Sequence, residues 1–136
     1  MGEGAAAKKT LVLVIEDDDQ TALFIRHFLE GGGFEVRIAA DGKEADALIG
    51  SIEPPGVVTL DIDLPHASGD ELMLKIKTTP GWDRVPVIMV TAKPMTEDST
   101  WAVKKGAKGY LVKPFKPAEL LELVRRLSAP KKPASS

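Results

Sequence analysis

Cysteine is absent from the 136-residue chain, which excludes a disulfide framework, thiolate catalysis and sulfur-ligated metal. The absence agrees with a reducing compartment, so the cytoplasm is the expected location. An excess of charge of one sign is also lacking: eighteen basic residues against twenty acidic ones leave a formal charge of −2. No general field draws such a chain to nucleic acid or to an anionic membrane, and neither is expected as a direct partner. No apolar run approaches membrane-spanning length, and the start Met1-Gly2-Glu3-Gly4 has neither the order of a secretory signal nor the Ser or Thr that myristoylation prefers. Histidine is scarce. His27 falls in a predicted helix and His66 in a loop, neither at metal-ligand spacing, and neither is given a role.

What is present fits one domain with a real core. Residues 1–9 and 128–136 are small, polar and partly proline-bearing and read as flexible ends around a domain at 10–127. Within it, short β-branched apolar runs alternate with amphipathic segments. Leu11–Ile15 predicts a buried strand; a helix follows with Ala22, Ile25 and Leu29 on one stripe, Phe24 and Phe28 beside it, and Gly31-Gly32-Gly33 at its end. Asp18 and Asp19 suit its cap and first turn. Phe34–Ile38 is a second strand, and Asp41 with Glu44 opens a helix carrying Ala45, Leu48 and Ile49.

The third strand, Val57-Val58-Thr59-Leu60-Asp61, ends abruptly in acid, with Asp63 and Pro65 close behind. Pro65 forbids continuation as a central strand, so Asp61 sits at a strand's carboxyl end. Ser68 and Glu71 form a capping-box pattern before Leu72, Met73 and Ile76, and Thr79-Pro80-Gly81-Trp82 breaks that helix. A fourth strand, Val85–Val90, leads into Thr91-Ala92-Lys93. Thr96 caps a short predicted helix through Lys105 that carries Trp101. A fifth strand, Gly109–Val112, ends at Lys113-Pro114-Phe115, and Pro117 opens a last helix with Leu120, Leu121, Val124 and Leu127.

Five strand–helix alternations with short connections predict a parallel sheet between helix layers, and right-handed crossovers bring the strand tips to one edge. Those tips carry Glu16 and Asp17, Asp61, Thr91, and Lys113. Carboxylates gathered there repel by about 4 kcal/mol per pair at a separation of about 4 Å and an effective dielectric near 20. They require a cation, and an all-oxygen donor set favours Mg²⁺. Lys113 and the Thr91 hydroxyl, with nearby backbone N–H groups, suit phosphoryl oxygens, which leaves Asp61 as the nucleophile.

The segments Leu11-Val-Leu-Val-Ile-Glu16-Asp17-Asp18, Leu60-Asp61-Ile62-Asp63-Leu64-Pro65, Val87-Ile-Met-Val-Thr91-Ala92 and Gly109-Tyr110-Leu-Val-Lys113-Pro114-Phe115 resemble the receiver domain of two-component response regulators, over Thr10 to Leu127. The resemblance implies a doubly wound, flavodoxin-like fold with strand order 2-1-3-4-5 and five helices. It implies that Asp61 accepts a phosphoryl group from a histidine kinase or phosphotransfer protein. Mg²⁺ would be held by Asp17, Asp61 and the Asp63 backbone carbonyl, with Glu16, where the family more often has aspartate, acting largely through water. Thr91 and the Ala92 N–H would hold phosphoryl oxygens, Lys113 would pair with the group, and Lys113-Pro114 would be a cis peptide. Thr91 and Tyr110 would form the switch that remodels a face made by the fourth helix, fifth strand and fifth helix for a downstream partner; Tyr110 can equally be an aromatic half-packed on its strand. The protein would catalyse only its own phosphorylation and dephosphorylation.

Asp-x-Asp after an apolar strand also resembles the nucleophile motif of haloacid-dehalogenase-type phosphatases. In that family the motif lies on the first strand and further acids follow the lysine, unlike Asp61 and Lys113 here. A third reading, a receiver fold serving only as an interaction surface, would be suggested by loss of the acceptor, threonine or lysine, and all three are present. Asp63 and Lys93, two residues beyond Asp61 and Thr91, carry opposite charges and either bridge the path of in-line water, tuning the lifetime of the phosphoryl group, or point into solvent.

Overall fold

The computed structural model of the chain describes residues 9–62, 69–92 and 106–128. Its elements are β1 Leu11–Ile15, α1 Asp19–Gly31, β2 Glu35–Ala39, α2 Gly42–Leu48, β3 Val57–Asp61, α3 Gly69–Thr78, β4 Val87–Thr91, β5 Gly109–Val112 and, last, α4 Pro117–Ser128. The strands form one parallel sheet in the order β2-β1-β3-β4-β5, the order implied by the resemblance. The helix expected between Thr96 and Lys105, with Trp101, lies outside the described residues. So do His66, the Ser68 cap, and the end segments 1–8 and 129–136. No helix among the described residues is long and apolar enough to cross a membrane.

Alternation along each strand divides the core in two. Leu13, Ile15, Val58, Leu60 and Met89 face one way and pack with Leu72, Met73 and Ile76 of α3 and with Ala45 of α2. Val12, Val14, Val57, Ile88 and Val90 face the other way and meet Ile25 and Leu29 of α1 and Leu120 and Val124 of α4. All five residues of β3 and of β4 are buried, as strands covered on both faces must be. The edge strand β2 instead exposes Glu35 and Arg37.

Local chemistry sets the helix ends. Asp18 caps α1, its Oδ2 accepting from the Thr21 N–H at 2.8 Å and the Thr21 hydroxyl at 2.6 Å. Asp41 caps α2 by accepting from the Glu44 N–H at 2.8 Å. The Lys116 N–H donates to Glu119 Oε1 at 2.9 Å, half of a capping box at the start of α4. Lys75 on α3 donates to the Asp46 carbonyl at 2.6 Å and to Asp46 Oδ1 at 2.9 Å, joining α3 to the final turn of α2.

Two strands begin later than periodicity predicts. Phe34 packs on the core without joining β2, which runs from Glu35 to Ala39. The ladder of β4 starts at Val87, because Pro86 has no N–H to give and only its carbonyl takes part, accepting from Val58 at 3.0 Å.

The end of α1 provides a paired stability test. An added Cβ at Gly31 would meet nothing within 4 Å, whereas Gly33 has a φ of +96°. Gly31→Ala is expected to stabilise the fold by about 0.4–1 kcal/mol, and Gly33→Ala to destabilise it by about 1–2 kcal/mol. Urea unfolding midpoints that shift in the same direction for both variants would contradict this assignment.

Candidate functional site

The edge where the strands end holds the groups with reactive chemistry. Asp61 is the last residue of β3 and is paired in the ladder with Val90. Thr91 closes β4 and is fully buried. One residue beyond β1, the Glu16 N–H donates to the Ala39 carbonyl at 3.0 Å; one residue beyond β5, the Lys113 N–H donates to the Thr91 carbonyl at 2.7 Å. These bonds extend the ladders, so the period of two still decides which way the side chains point. Glu16, Asp61 and Lys113 share the face that carries α1 and α4. Thr91 and Tyr110 share the opposite face, Tyr110 lying beside Met89 in the register and half-buried against that core. The Lys113–Pro114 peptide is cis.

Lys113 holds the cluster together. Its Nζ lies 2.9 Å from Glu16 Oε1, 3.1 Å from Glu16 Oε2 and 3.2 Å from Asp61 Oδ2. Glu16 is 2% exposed and Asp61 4%. Burial pushes the Glu16 carboxyl up to about 7, reinforced by the neighbouring Asp61 charge and only partly opposed by Lys113. For Lys113, burial alone would lower the pKa; the hydrogen bond to Glu16 and the Asp61 charge outweigh it, and the net shift is upward.

Three clustered carboxylates, two of them paired with one ammonium, leave the cluster short of positive charge. Carboxylate oxygens of Glu16, Asp17 and Asp61 lie within 4.8 Å of one another. Glu16 Oε1, although near the ammonium, is buried without a well-directed hydrogen bond, so a lone pair remains for another acceptor of electrons. Glu16 and Asp61 are buried while Asp17 is exposed, which leaves one side open to water. An all-oxygen set, partly wet, with an unsatisfied buried carboxylate oxygen, fits a hard divalent cation that keeps several waters.

Among the other expected site residues, Ala92 is exposed at the end of β4. It lines a cleft of about 610 Å³ beside Lys113, together with Asp18, Gln20, Thr21, Phe24, Pro114 and Phe115. Asp63, including its backbone carbonyl, and Lys93 lie outside the described residues. Sequence reasoning gave no role to Phe24 and Phe115, which wall this cleft. The available signal was that Phe24 stands off the buried stripe Ala22, Ile25, Leu29.

The strained charge of Glu16 should appear in stability. Its carboxyl binds a proton more readily when folded, at about 7, than at its ordinary 4.5. Its contribution is therefore fully present below about pH 4.5 and lost as pH rises through about 7. In metal-free buffer the unfolding free energy should fall by on the order of 1–3 kcal/mol across this window. Glu16→Gln should flatten the fall, and Mg²⁺ should stabilise more at neutral pH than at about pH 5. An equal slope in Glu16→Gln, measured by urea unfolding, would refute the assignment.

A family model described as the response regulator receiver domain matches residues 12–125. The DNA-binding response regulator MtrA of Mycolicibacterium smegmatis is 35% identical over 114 residues, which are 84% of this chain and 48% of that protein. The chain thus spans about half the length of the curated MtrA relatives it matches. The chemotaxis response regulator CheY4 of Vibrio cholerae superposes with a TM-score of 0.82 at 30% identity, covering 88% of this chain and 99% of that one. The receiver domain of sensor histidine kinase PA1611 from Pseudomonas aeruginosa, solved with a magnesium ion in its active site cleft, gives 0.81 at 28% identity, covering 89% and 98%. The sheet order, the grouping of charges at the strand ends and a family match over most of the length lead to one conclusion: the chain belongs to the response regulator receiver domains.

Proposed function

We propose that this domain is a phosphorylation-dependent switch in which Asp61 takes a phosphoryl group from a histidine kinase or a histidine phosphotransfer protein. The observation that carries the reading is the meeting of Asp61 with the oxygens of Glu16 and Asp17 and, at 3.2 Å, with the Lys113 ammonium. Asp61 Oδ attacks phosphorus as the bond to the donor's imidazole nitrogen breaks, and that nitrogen then takes a proton from solvent. Glu16, Asp17 and Asp61, with the Asp63 carbonyl, would hold Mg²⁺, which when bound neutralises charge on the transferring group. Lys113 gives up its carboxylate partners for a phosphoryl oxygen. The Thr91 hydroxyl and the Ala92 N–H supply neutral donors on the other side. The domain would act in the cytoplasm and turn over no other substrate.

Output follows from the added charge of about −1.5 to −2 at one strand tip. Thr91 and Tyr110 lie on the same side of the sheet, so a threonine drawn toward the phosphoryl group vacates space next to the half-buried tyrosine ring. Tyr110 then turns inward and alters the face of β5 and α4 for a downstream protein.

Incubation with acetyl phosphate and Mg²⁺ should add one phosphoryl group by mass, and Asp61→Asn should abolish the addition. Thr91→Ala should slow it about tenfold or more, having lost one donor. An undiminished gain in Asp61→Asn, or none in the native chain, would refute the acceptor assignment. For the switch, backbone amide shifts around Tyr110 should move on phosphorylation in the native chain and stay still in Thr91→Ala. Equal movement in both would remove Thr91 from the switch.

A further inference from the structure

Phe115 follows Lys113 by two residues, and its ring meets Phe24 of α1 edge-on, with centroids 5.9 Å apart at 67°. Phe24 in turn packs edge-on against Phe28, one helical turn along, at 4.9 Å and 62°. Phe24 stays 36% exposed and lies off the stripe that α1 buries, so the core of the sheet does not set its place. Its position joins two segments. Helix α1 starts from the Asp18 cap, two residues after Glu16, and Phe115 sits in the short connection between β5 and α4. The opposing charges of the site, Glu16 and Lys113, are therefore carried by the two segments that the rings connect.

We propose that Phe24 and Phe115 are positioning residues that set the reach of the Lys113 ammonium, an inference that rests on Asp61 being the phosphoacceptor. A lysine is a point charge on a flexible four-carbon stem, and the stem alone aims it poorly. In the free chain Glu16 and Asp61 hold the ammonium directly. When it transfers to a phosphoryl oxygen, the ion pair no longer ties the two segments, whereas the ring contact, beside the packing of α1 on α4, is present with or without that pair. Both rings act through where the Lys113 backbone is kept.

Two measurements on Phe24→Ala, Phe115→Ala, their combination and Phe115→Tyr test this, with Leu23→Ala, an exposed apolar neighbour on the same helix, as control. The first is the rate of acetyl phosphate labelling of Asp61 at saturating Mg²⁺. Each alanine variant should be about fivefold slower or more, the double no slower than the slower single, and Phe115→Tyr and Leu23→Ala unchanged. The second is hydrogen exchange in the unphosphorylated chain, at the Lys113 amide bonded to Thr91. Its protection should fall about tenfold in the alanine variants while amides of Val87–Val90 keep theirs. Unchanged labelling rates, additive losses, unchanged protection at Lys113, or loss spread over the whole sheet would each overturn the proposal. If the native chain fails to label, the acceptor reading falls, and unchanged exchange at Lys113 still rejects the ring tie by itself.

Discussion

Burying two carboxylates against a single ammonium is the constraint that organises this molecule. Taking Glu16 and Asp61 out of water is costly, and Lys113 offsets that cost only in part, as the raised Glu16 pKa records. Nothing local would keep such groups together. They stay because β1, β3 and β5 belong to one sheet whose central strands are buried along their whole length, and apolar burial at about 1.5–3 kcal/mol per large side chain fixes where each strand stops. The core supplies stability, and the sheet edge holds the charge arrangement on which the proposed function rests. Removing Lys113 would leave the two acids uncompensated, whereas a divalent ion relieves them.

The period of two gives this edge a second property. Glu16, Asp61 and Lys113 point to the side of α1 and α4, while Thr91 and Tyr110 point to the side of α2 and α3. An event at Asp61 is thus next to both halves of the core, although the two halves share no side chains. Thr91 stands at the join of the two: it ends the strand beside Asp61, and its carbonyl anchors the Lys113 N–H at 2.7 Å.

Much of this was legible in the sequence for definite reasons. Val57-Val58-Thr59-Leu60-Asp61 reads as a fully buried strand with a charge at its tip because all five positions suit burial and Pro65 bars extension. The Asp18 and Asp41 caps follow from residue type and spacing. Contacts between distant segments were not legible. That Lys113 lies closer to Glu16 than to Asp61, and that Phe115 meets Phe24, depends on how loops approach across the sheet, which no local pattern encodes. Trp82 is a further case: Thr79-Pro80-Gly81-Trp82 reads as a helix breaker, yet the residue is 1% exposed and belongs to the core on the α2 and α3 side of the sheet. The starts of β2 and β4 were misplaced by one and two residues because apolar character marks burial, and ladder pairing depends on which N–H groups have partners.

The most direct measurement of the account is a crystal structure of the domain with Mg²⁺ and beryllofluoride, a mimic of the phosphoryl group. The expected result is beryllium bonded to an Asp61 carboxylate oxygen, a metal ion between the Glu16, Asp17 and Asp61 carboxylates, and the Lys113 ammonium moved from Glu16 onto a fluoride. Beryllofluoride bound elsewhere, or Lys113 still paired with Glu16 beside an occupied Asp61, would contradict it.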